Sequence, residues 1–316
     1  MRKGLLFGLA GLAALTSLSV SGAAQAAGEG PALPHIEWSF DGPFGTYDRH
    51  SLQRGLQVYR EVCSSCHGLK YVAFRNLADL GYNEDEIKAI AAEYTVTDGP
   101  NDEGEMFERP GAPSDYFPSP FPNEKAAAAA NGGAAPPDLS LMAKARVGGP
   151  DYTHGILTGY RDLVSPEVLE WIFQHETEKR MAAYEAAHAE YLDKLEAYED
   201  RVEDDPTARR PVEPEEPQPV TSIEDLGLAE TSNFNAYFPG YGIAMAQPLY
   251  EDGITYADGT PATVDQMATD VSHFLMWAAE PKLEDRKETG IKVLIFLVVF
   301  TGVLYAAKRK VWRDVH

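Results

Sequence analysis

The sequence predicts a mainly α-helical protein: a large exported domain with long loops and a helical insertion, held on one transmembrane helix near the C-terminus. Three observations carry that reading. Apolar residues recur at helical spacing around positions 52–62, 181–198 and 264–278. Residues 290–307 carry a single charge, Lys292, and are followed at once by Lys308, Arg309, Lys310 and Arg313. The N-terminus has the build of a secretory leader, with Arg2 and Lys3 ahead of an apolar run over 5–15 and a small-residue site at Ala24-Gln25-Ala26.

These features divide the chain into a signal peptide over 1–26, an exported domain over 27–288, a membrane helix over 289–307 and a tail over 308–316. As a helix, the apolar run 290–307 spans about 27 Å, close to a hydrocarbon core of about 30 Å. Lys292 lies near its outer end, where a lysine can reach the interface. The basic cluster beyond it is expected to stay cytoplasmic, which places the domain on the periplasmic side of a bacterial inner (cell) membrane. Formal charge is −22, and loss of Arg2 and Lys3 leaves 25 basic against 49 acidic residues, or −24. So acidic a chain is not expected to bind nucleic acid; a basic protein partner suits it better.

Along the chain, residues 28–46 form a Pro/Gly-rich lead-in. A helix is predicted from Ser51, read as its N-cap, with Leu52, Leu56, Tyr59 and Val62 on one face. Gly55 shares that face and would let a second helix approach closely. Residues 84–94 read as a short acidic helix. Residues 98–123 yield no placeable element, and their acids read as a solvated face. Pro136-Pro137 predicts a stiff extended wall, after which Asp138 or Ser140 can start a helix with Lys144 and Arg146 in its late turns. Ser165-Pro166 starts another helix, with proline at the first helical position.

On that helix Met181, Tyr184, His188, Tyr191, Leu195 and Tyr198 recur at intervals of three and four. The stripe is too narrow for a core of its own, so it should lie against the domain, a partner or a second copy; His188 within it reads as a packing residue. Residues 199–219 hold eight acids against three arginines among many prolines, a linker or solvated excursion that cannot bury a core. Helix and excursion together form an insertion over 165–220. Thr263 caps the last soluble helix, with Val264, Met267, Val271, Phe274 and Ala278 as its apolar face, and Pro281 ends it.

The chemistry is concentrated in Cys63-Ser-Ser-Cys66-His67, which contains the only two cysteines of the chain. This spacing is that of a c-type haem attachment site. Two thiols add across the two vinyl groups of one porphyrin, and the adjacent histidine becomes an axial ligand of the iron. The competing readings are a thioredoxin-like redox pair and part of a zinc site, although a structural zinc normally needs four ligands. For the second axial position, Met267 lies on the packing face of the last helix, Met276 and His273 on its other sides, and Met142 beside the proline pair. Met245 follows a Phe238-Pro239-Gly240 turn in a loop of small and apolar residues and is favoured. A thioether opposite an imidazole raises the potential and closes the iron to oxygen, which suits electron transfer. Arg146 could meet a haem propionate or serve as an exposed, helix-capping cation.

In order along the chain stand Arg54-Gly-Leu-Gln-Val-Tyr-Arg-Glu-Val-Cys63-Ser-Ser-Cys66-His67, Pro136-Pro-Asp-Leu-Ser140, Lys144-Ala-Arg146, Asp151-Tyr152, Leu157-Thr-Gly-Tyr160, Tyr237-Phe-Pro-Gly240, Ile243-Ala-Met245-Ala246 and Trp277-Ala-Ala-Glu-Pro281. Together they resemble the cytochrome c1 family of bacterial type, the haem-bearing subunit of the cytochrome bc1 complex (ubiquinol–cytochrome c oxidoreductase). The resemblance implies a cytochrome c-like haem domain and one haem c, covalent on Cys63 and Cys66, with Met245 opposite His67. It implies pocket contacts from Asn131, Pro137, Arg146, Tyr152 and Phe238, with Arg146 on a propionate. It implies electrons arriving from the Rieske iron–sulfur subunit and leaving to a soluble or membrane-tethered cytochrome c, an anchor against cytochrome b, and no independent catalysis.

Between Tyr160 and Asn233 the sequence departs from the family. A shorter or differently built segment is usual there, sometimes with an extra disulfide. With no spare cysteine, packing is expected to stiffen the Met245 loop. Other classes fit less well. A c-type peroxidase would need an accessible iron and usually a second haem motif. A structural anchor would not need the matched pocket. A single-haem tethered shuttle would usually have about half this soluble domain.

Overall fold

The computed structural model describes residues 30–205 and 207–313; the leader, its cleavage site and the last three residues of the tail lie outside the described residues. The helices are α1 (Arg49–Glu61), α2 (Glu84–Ala92), α3 (Glu124–Ala130), α4 (Met142–Ala145), α5 (Pro150–Thr158), α6 (Pro166–Val202), α7 (Val264–Ala279) and α8 (Leu283–Val311). Beside them stand 3-10 turns, the longest over Phe74–Leu80, and two antiparallel two-stranded ladders: β1 (Thr95–Asp98) with β2 (Phe107–Pro110), and β3 (Asn233–Phe234) with β4 (Gly242–Ile243). The architecture is mainly helical, as the sequence predicts.

The crossing of α1 and α7 organises the core. α1 begins three residues earlier than expected: Asp48, not Ser51, is its N-cap and accepts from the His50 amide at 2.9 Å. Ser51 is instead buried and donates to Asp270 Oδ1 at 2.7 Å. Gly55 stands at the crossing as expected. A Cβ there would lie 2.1 Å from the Asp270 carbonyl oxygen and 2.6 Å from Phe274 Cβ. Asp270 has no exposed surface, and its carboxylate also accepts from Arg54 Nε (2.8 Å) and Nη2 (3.0 Å) and from Gln266 Nε2 (2.9 Å). A carboxylate is tolerated at such depth only when paired and fully hydrogen-bonded. Thr263 caps α7 by accepting from Gln266 N at 3.1 Å. α7 is covered on nearly every side, so His273 and Met276, which spacing puts on sides other than the Met267 face, are interior residues as well. α1, α4 and α5 all pack on it.

Three loop readings change. Residues 98–123 contain β2 of a hairpin, and two of their acids are structural: Arg109 donates to Asp98 and, through Nη1 (2.6 Å) and Nη2 (3.0 Å), to both oxygens of Asp115. The helix after Pro137 is a single turn, and Arg146 lies just beyond it in extended backbone rather than within it. The 199–219 segment keeps its acids exposed, as expected, but is covered along one side. From Ala208 every third residue, through Pro211, Pro214 and Pro217 to Val220, is partly or fully covered, and those between are exposed. Three is the repeat of a polyproline II helix.

On α6 the six stripe residues are covered while every other residue over 182–199 is exposed. Val220 N donates to Thr177 Oγ1 at 2.9 Å, and His188 Nε2 lies 3.6 Å from Glu213 Oε1. These pins lie about 16 Å apart along α6 and about 22 Å apart along an extended arm, so the arm runs antiparallel to the helix. The α6 stripe therefore lies against its own proline-rich return, with Tyr191 only 7% exposed.

α8 has one buried residue, Leu283, and exposes residues 292–313; its length and composition suit a membrane crossing. Its base is tied to the domain. Glu280 accepts from Lys144 Nζ (2.7 Å) and Arg286 Nε (2.6 Å). Glu284 accepts from Tyr47 N (2.7 Å) and Arg49 Nη2 (2.8 Å). Lys287 Nζ donates to the carbonyls of Phe40 and Gly45.

Gly55→Ala is expected to cost about 1–3 kcal/mol through overpacking, and Arg54→Met about 3–5 kcal/mol by stranding the Asp270 charge; denaturant midpoints measure both, and unchanged midpoints would contradict the crossing. Tyr191→Ala should release the arm, so that trypsin cuts after Arg209 at least about tenfold faster. An unchanged cleavage rate would show that the stripe does not hold it.

Candidate functional site

The Cys63–His67 segment is set by the end of α1. A 3-10 turn, Cys63–Ser65, follows the helix, and the amides of Cys66 and His67 both donate to the Cys63 carbonyl, at 3.1 and 2.9 Å. The two intervening serines satisfy helix-end carbonyls that would otherwise lack partners: Ser64 Oγ donates to Arg60 O at 2.8 Å and Ser65 Oγ to Val62 O at 3.1 Å. The polypeptide after the proline pair is fastened onto this turn. Leu139 N donates to Gly68 O (2.9 Å), Lys70 N to Asp138 Oδ2 (2.9 Å) and Tyr71 N to Ser140 Oγ (3.1 Å).

That fastening brings the Pro137 carbonyl to 2.7 Å from His67 Nδ1. A carbonyl only accepts, so Nδ1 carries the proton and Nε2 presents its lone pair. Burial lowers the pKa of His67, and the Pro137 bond only partly opposes it; the ring is therefore held neutral, in the tautomer a metal ion requires.

Cys63 and Cys66 are half-buried free thiols. Burial, then the neighbouring Cys66, pushes the Cys63 thiol up to about 12. That leaves little thiolate at neutral pH, the opposite of what a thioredoxin-like pair needs. Among the described residues no cluster of three or more histidines, cysteines and carboxylates is placed to hold a metal ion, so a zinc site would lack its remaining ligands.

Met245 lies in the loop after β4, half-buried in a cluster with Tyr152 and Phe238 around Ile156, Tyr160 and Ile243. Its backbone is held on both sides: Tyr160 OH donates to the carbonyls of Met245 (3.1 Å) and Ala246 (3.3 Å), and Asn233 Nδ2 to Met245 O (3.3 Å). Asn235, fully buried, ties the loop to α5. Its Nδ2 donates to Ile156 O at 2.7 Å, its amide to Tyr241 O at 2.8 Å, and its Oδ1 accepts from Tyr237 N at 3.2 Å. The sequence leads one to expect packing alone to stiffen this loop; the structure adds a hydrogen-bonded frame. Asn235 and Asn233 escape the sequence reading, where the available signal is two amides inside an aromatic, apolar run.

The other predicted residues divide. Pro137 meets His67 directly, and Tyr152 and Phe238 meet Met245's cluster. Arg146 is exposed, and among the described residues its guanidinium donates only to the Ala145 carbonyl, at 3.3 Å, with no carboxylate partner. Asn131 uses its side chain at the end of α3, donating to Ala127 O at 2.8 Å. The rival axial candidates belong to the core: Met267 and Met276 are buried in it, and Met142 packs against its edge.

The residues fit a haem c. They supply a neutral imidazole with a free Nε2, two adjacent thiols, a half-covered thioether among half-covered rings, and a guanidinium without an acidic partner. A helical domain on one membrane-length helix, carrying a Cys-x-x-Cys-His turn of this geometry, defines the class of membrane-anchored c-type haem proteins. Comparison with known proteins narrows the class. A family model described as the Cytochrome C1 family matches residues 38–315. Cytochrome c1 of Rhodospirillum rubrum is 48% identical over 298 residues, covering 94% of each chain. A protein of Bradyrhizobium diazoefficiens named cytochrome b/c1 is 46% identical over 90% of this chain, which covers 36% of that longer protein. A Candida albicans protein named cytochrome b-c1 complex catalytic subunit is 39% identical, over 93% of this chain and 82% of its own. The chain belongs to the cytochrome c1 family.

Tyr160→Phe removes the donor shared by the Met245 and Ala246 carbonyls. It should weaken the loop by about 0.5–1.5 kcal/mol, read as faster amide hydrogen exchange over 233–246. Unchanged protection would show that Asn233 and packing suffice.

Proposed function

We propose that this chain is the electron-transfer subunit of a ubiquinol–cytochrome c oxidoreductase (bc1) complex. In this reading Cys63 and Cys66 would hold one haem c through thioethers, and His67 Nε2 and Met245 Sδ would ligate its iron. Asn131, Pro137, Arg146, Tyr152 and Phe238 line the pocket, with Arg146 on a propionate. When bound, the haem supplies a one-electron couple. The protein fixes one ligand in its tautomer, presents a soft second ligand, and excludes water with the cluster around Met245. The observation that carries the reading is the 2.7 Å bond from His67 Nδ1 to the Pro137 carbonyl, because it prepares the imidazole for iron on a turn that also carries both thiols.

The leader over 1–26, a periplasmic domain over 27–288 and the 289–307 span put this relay on the outer side of a bacterial inner membrane, with 308–316 inside. Electrons come from the Rieske iron–sulfur subunit and go to a cytochrome c in a respiratory or photosynthetic chain, and the anchor lies against cytochrome b. The relatives named cytochrome b/c1 and cytochrome b-c1 complex catalytic subunit support that setting. The tied base of α8 also supports it. With Glu280, Glu284 and Lys287 all engaged, the helix does not serve as a loose tether for a roaming shuttle.

Met245→Leu is expected to lower the potential by on the order of 0.1 V or more, within the roughly 0.8 V range that axial ligands set, and to open the iron to carbon monoxide. A spectrum and potential equal to wild type would remove Met245 as a ligand. The acceptor reading is tested with Glu203, Asp204, Glu215 and Glu216, all exposed on the insertion, changed together to amides. The slope of kcat/KM for cytochrome c against ionic strength should become shallower. An unchanged slope would put the docking surface elsewhere.

A further inference from the structure

The chain entering α1 makes a tight turn at residues 41–45. Asp41 N donates to Trp38 O at 3.0 Å and Thr46 N to Ser39 O at 3.1 Å, closing the turn. Gly42 has φ +67°, and a Cβ on Gly45 would stand 2.0 Å from the Asp41 carbonyl oxygen, so both positions require glycine. The roots of the turn are fixed, since Trp38, Phe40 and Tyr47 are buried around His273. Phe44 is not: it is 79% exposed, on a rigid loop, beside Pro43.

The place of this turn supplies an occupant. The carbonyls of Phe40 and Gly45 both accept from Lys287 Nζ, and Tyr47 N donates to Glu284. Lys287 precedes the apolar run of α8 at residue 290 by three positions, about 4.5 Å of helix. The interfacial layer on each side of a bilayer is about 5–7 Å thick, so the turn is pinned at interfacial depth. An aromatic ring there gains by leaving water for the headgroup–acyl boundary.

We propose that residues 41–45 form a membrane-contacting foot, with Phe44 seated in the interfacial layer of the lipid bilayer. The inference rests on α8 crossing the membrane. The foot is then a second contact beside the anchor. Two contacts, unlike one, fix the tilt of the domain on the membrane.

The test uses Phe44→Cys in the full chain, with haem attached, in its purified assembly in phospholipid nanodiscs. A nitroxide is placed on the introduced thiol; Cys63 and Cys66 are consumed by the haem, and wild type labelled in parallel gives the background. An unchanged haem spectrum reports an intact fold. The expected result is more frequent collision with dissolved oxygen than with a water-soluble nickel chelate, the reverse of a label at Val212→Cys, which lies exposed on the insertion. Preferential collision with nickel would place position 44 in water and overturn the proposal. A label immobilised and shielded from both would mean that another protein subunit covers it, which also overturns it. Retention of the wild-type chain in membranes after a carbonate wash tests the anchor separately.

Discussion

The contact between Gly55 on α1 and the Asp270 carbonyl on α7 is the constraint on which the rest of the structure depends. Only a residue without a Cβ allows that approach, and the buried Asp270 carboxylate, held by Ser51, Arg54 and Gln266, fixes the register of the two helices. The haem-motif turn hangs on the end of α1. α7 supports α4 and α5, which lead to Arg146 on one side and Tyr152 on the other. It also runs into the tied base of α8. One helix crossing thus relates the Cys63–His67 turn, the cluster around Met245 and the membrane-length helix to one another.

The two halves of the site are stabilised differently. His67 is set by the Pro137 carbonyl, which is placed by the fastening of 137–140 onto 67–71 through one backbone bond and the side chains of Asp138 and Ser140. Met245 sits in a loop with hardly any regular structure, so its precision comes from Tyr160, Asn233 and Asn235, side chains that bond to main chain. Such bonds add net stability of about 1 kcal/mol each, but leaving a buried partner unmade costs more, and this is what keeps the loop in one conformation without a disulfide.

Much of this is legible in the sequence. The Cys-x-x-Cys-His spacing, the close approach at Gly55, the apolar face of α7, the Thr263 cap and the membrane-length run follow from local rules. Ser51 misleads because a serine before an apolar run looks like a cap, while its real partner, Asp270, is 219 positions away. The burial of His273 and Met276 is not legible, because a period shows one face and cannot show that neighbours cover the others. Composition predicts the exposed acids of the proline-rich arm; the covering of every third residue becomes visible only once α6 lies beside it. The role of Asn235 depends on three backbone partners that no local pattern reveals.

The central claim of the proposed function is that His67 and Met245 would both ligate the iron of one haem. Proton NMR of the reduced, diamagnetic protein tests it most directly. A methionine methyl bound over a porphyrin is carried far upfield of all other resonances by the ring current. The account predicts one such three-proton resonance, with nuclear Overhauser contacts to Tyr160 or Phe238. Its absence, or contacts placing it in α7 or α4, would contradict the arrangement.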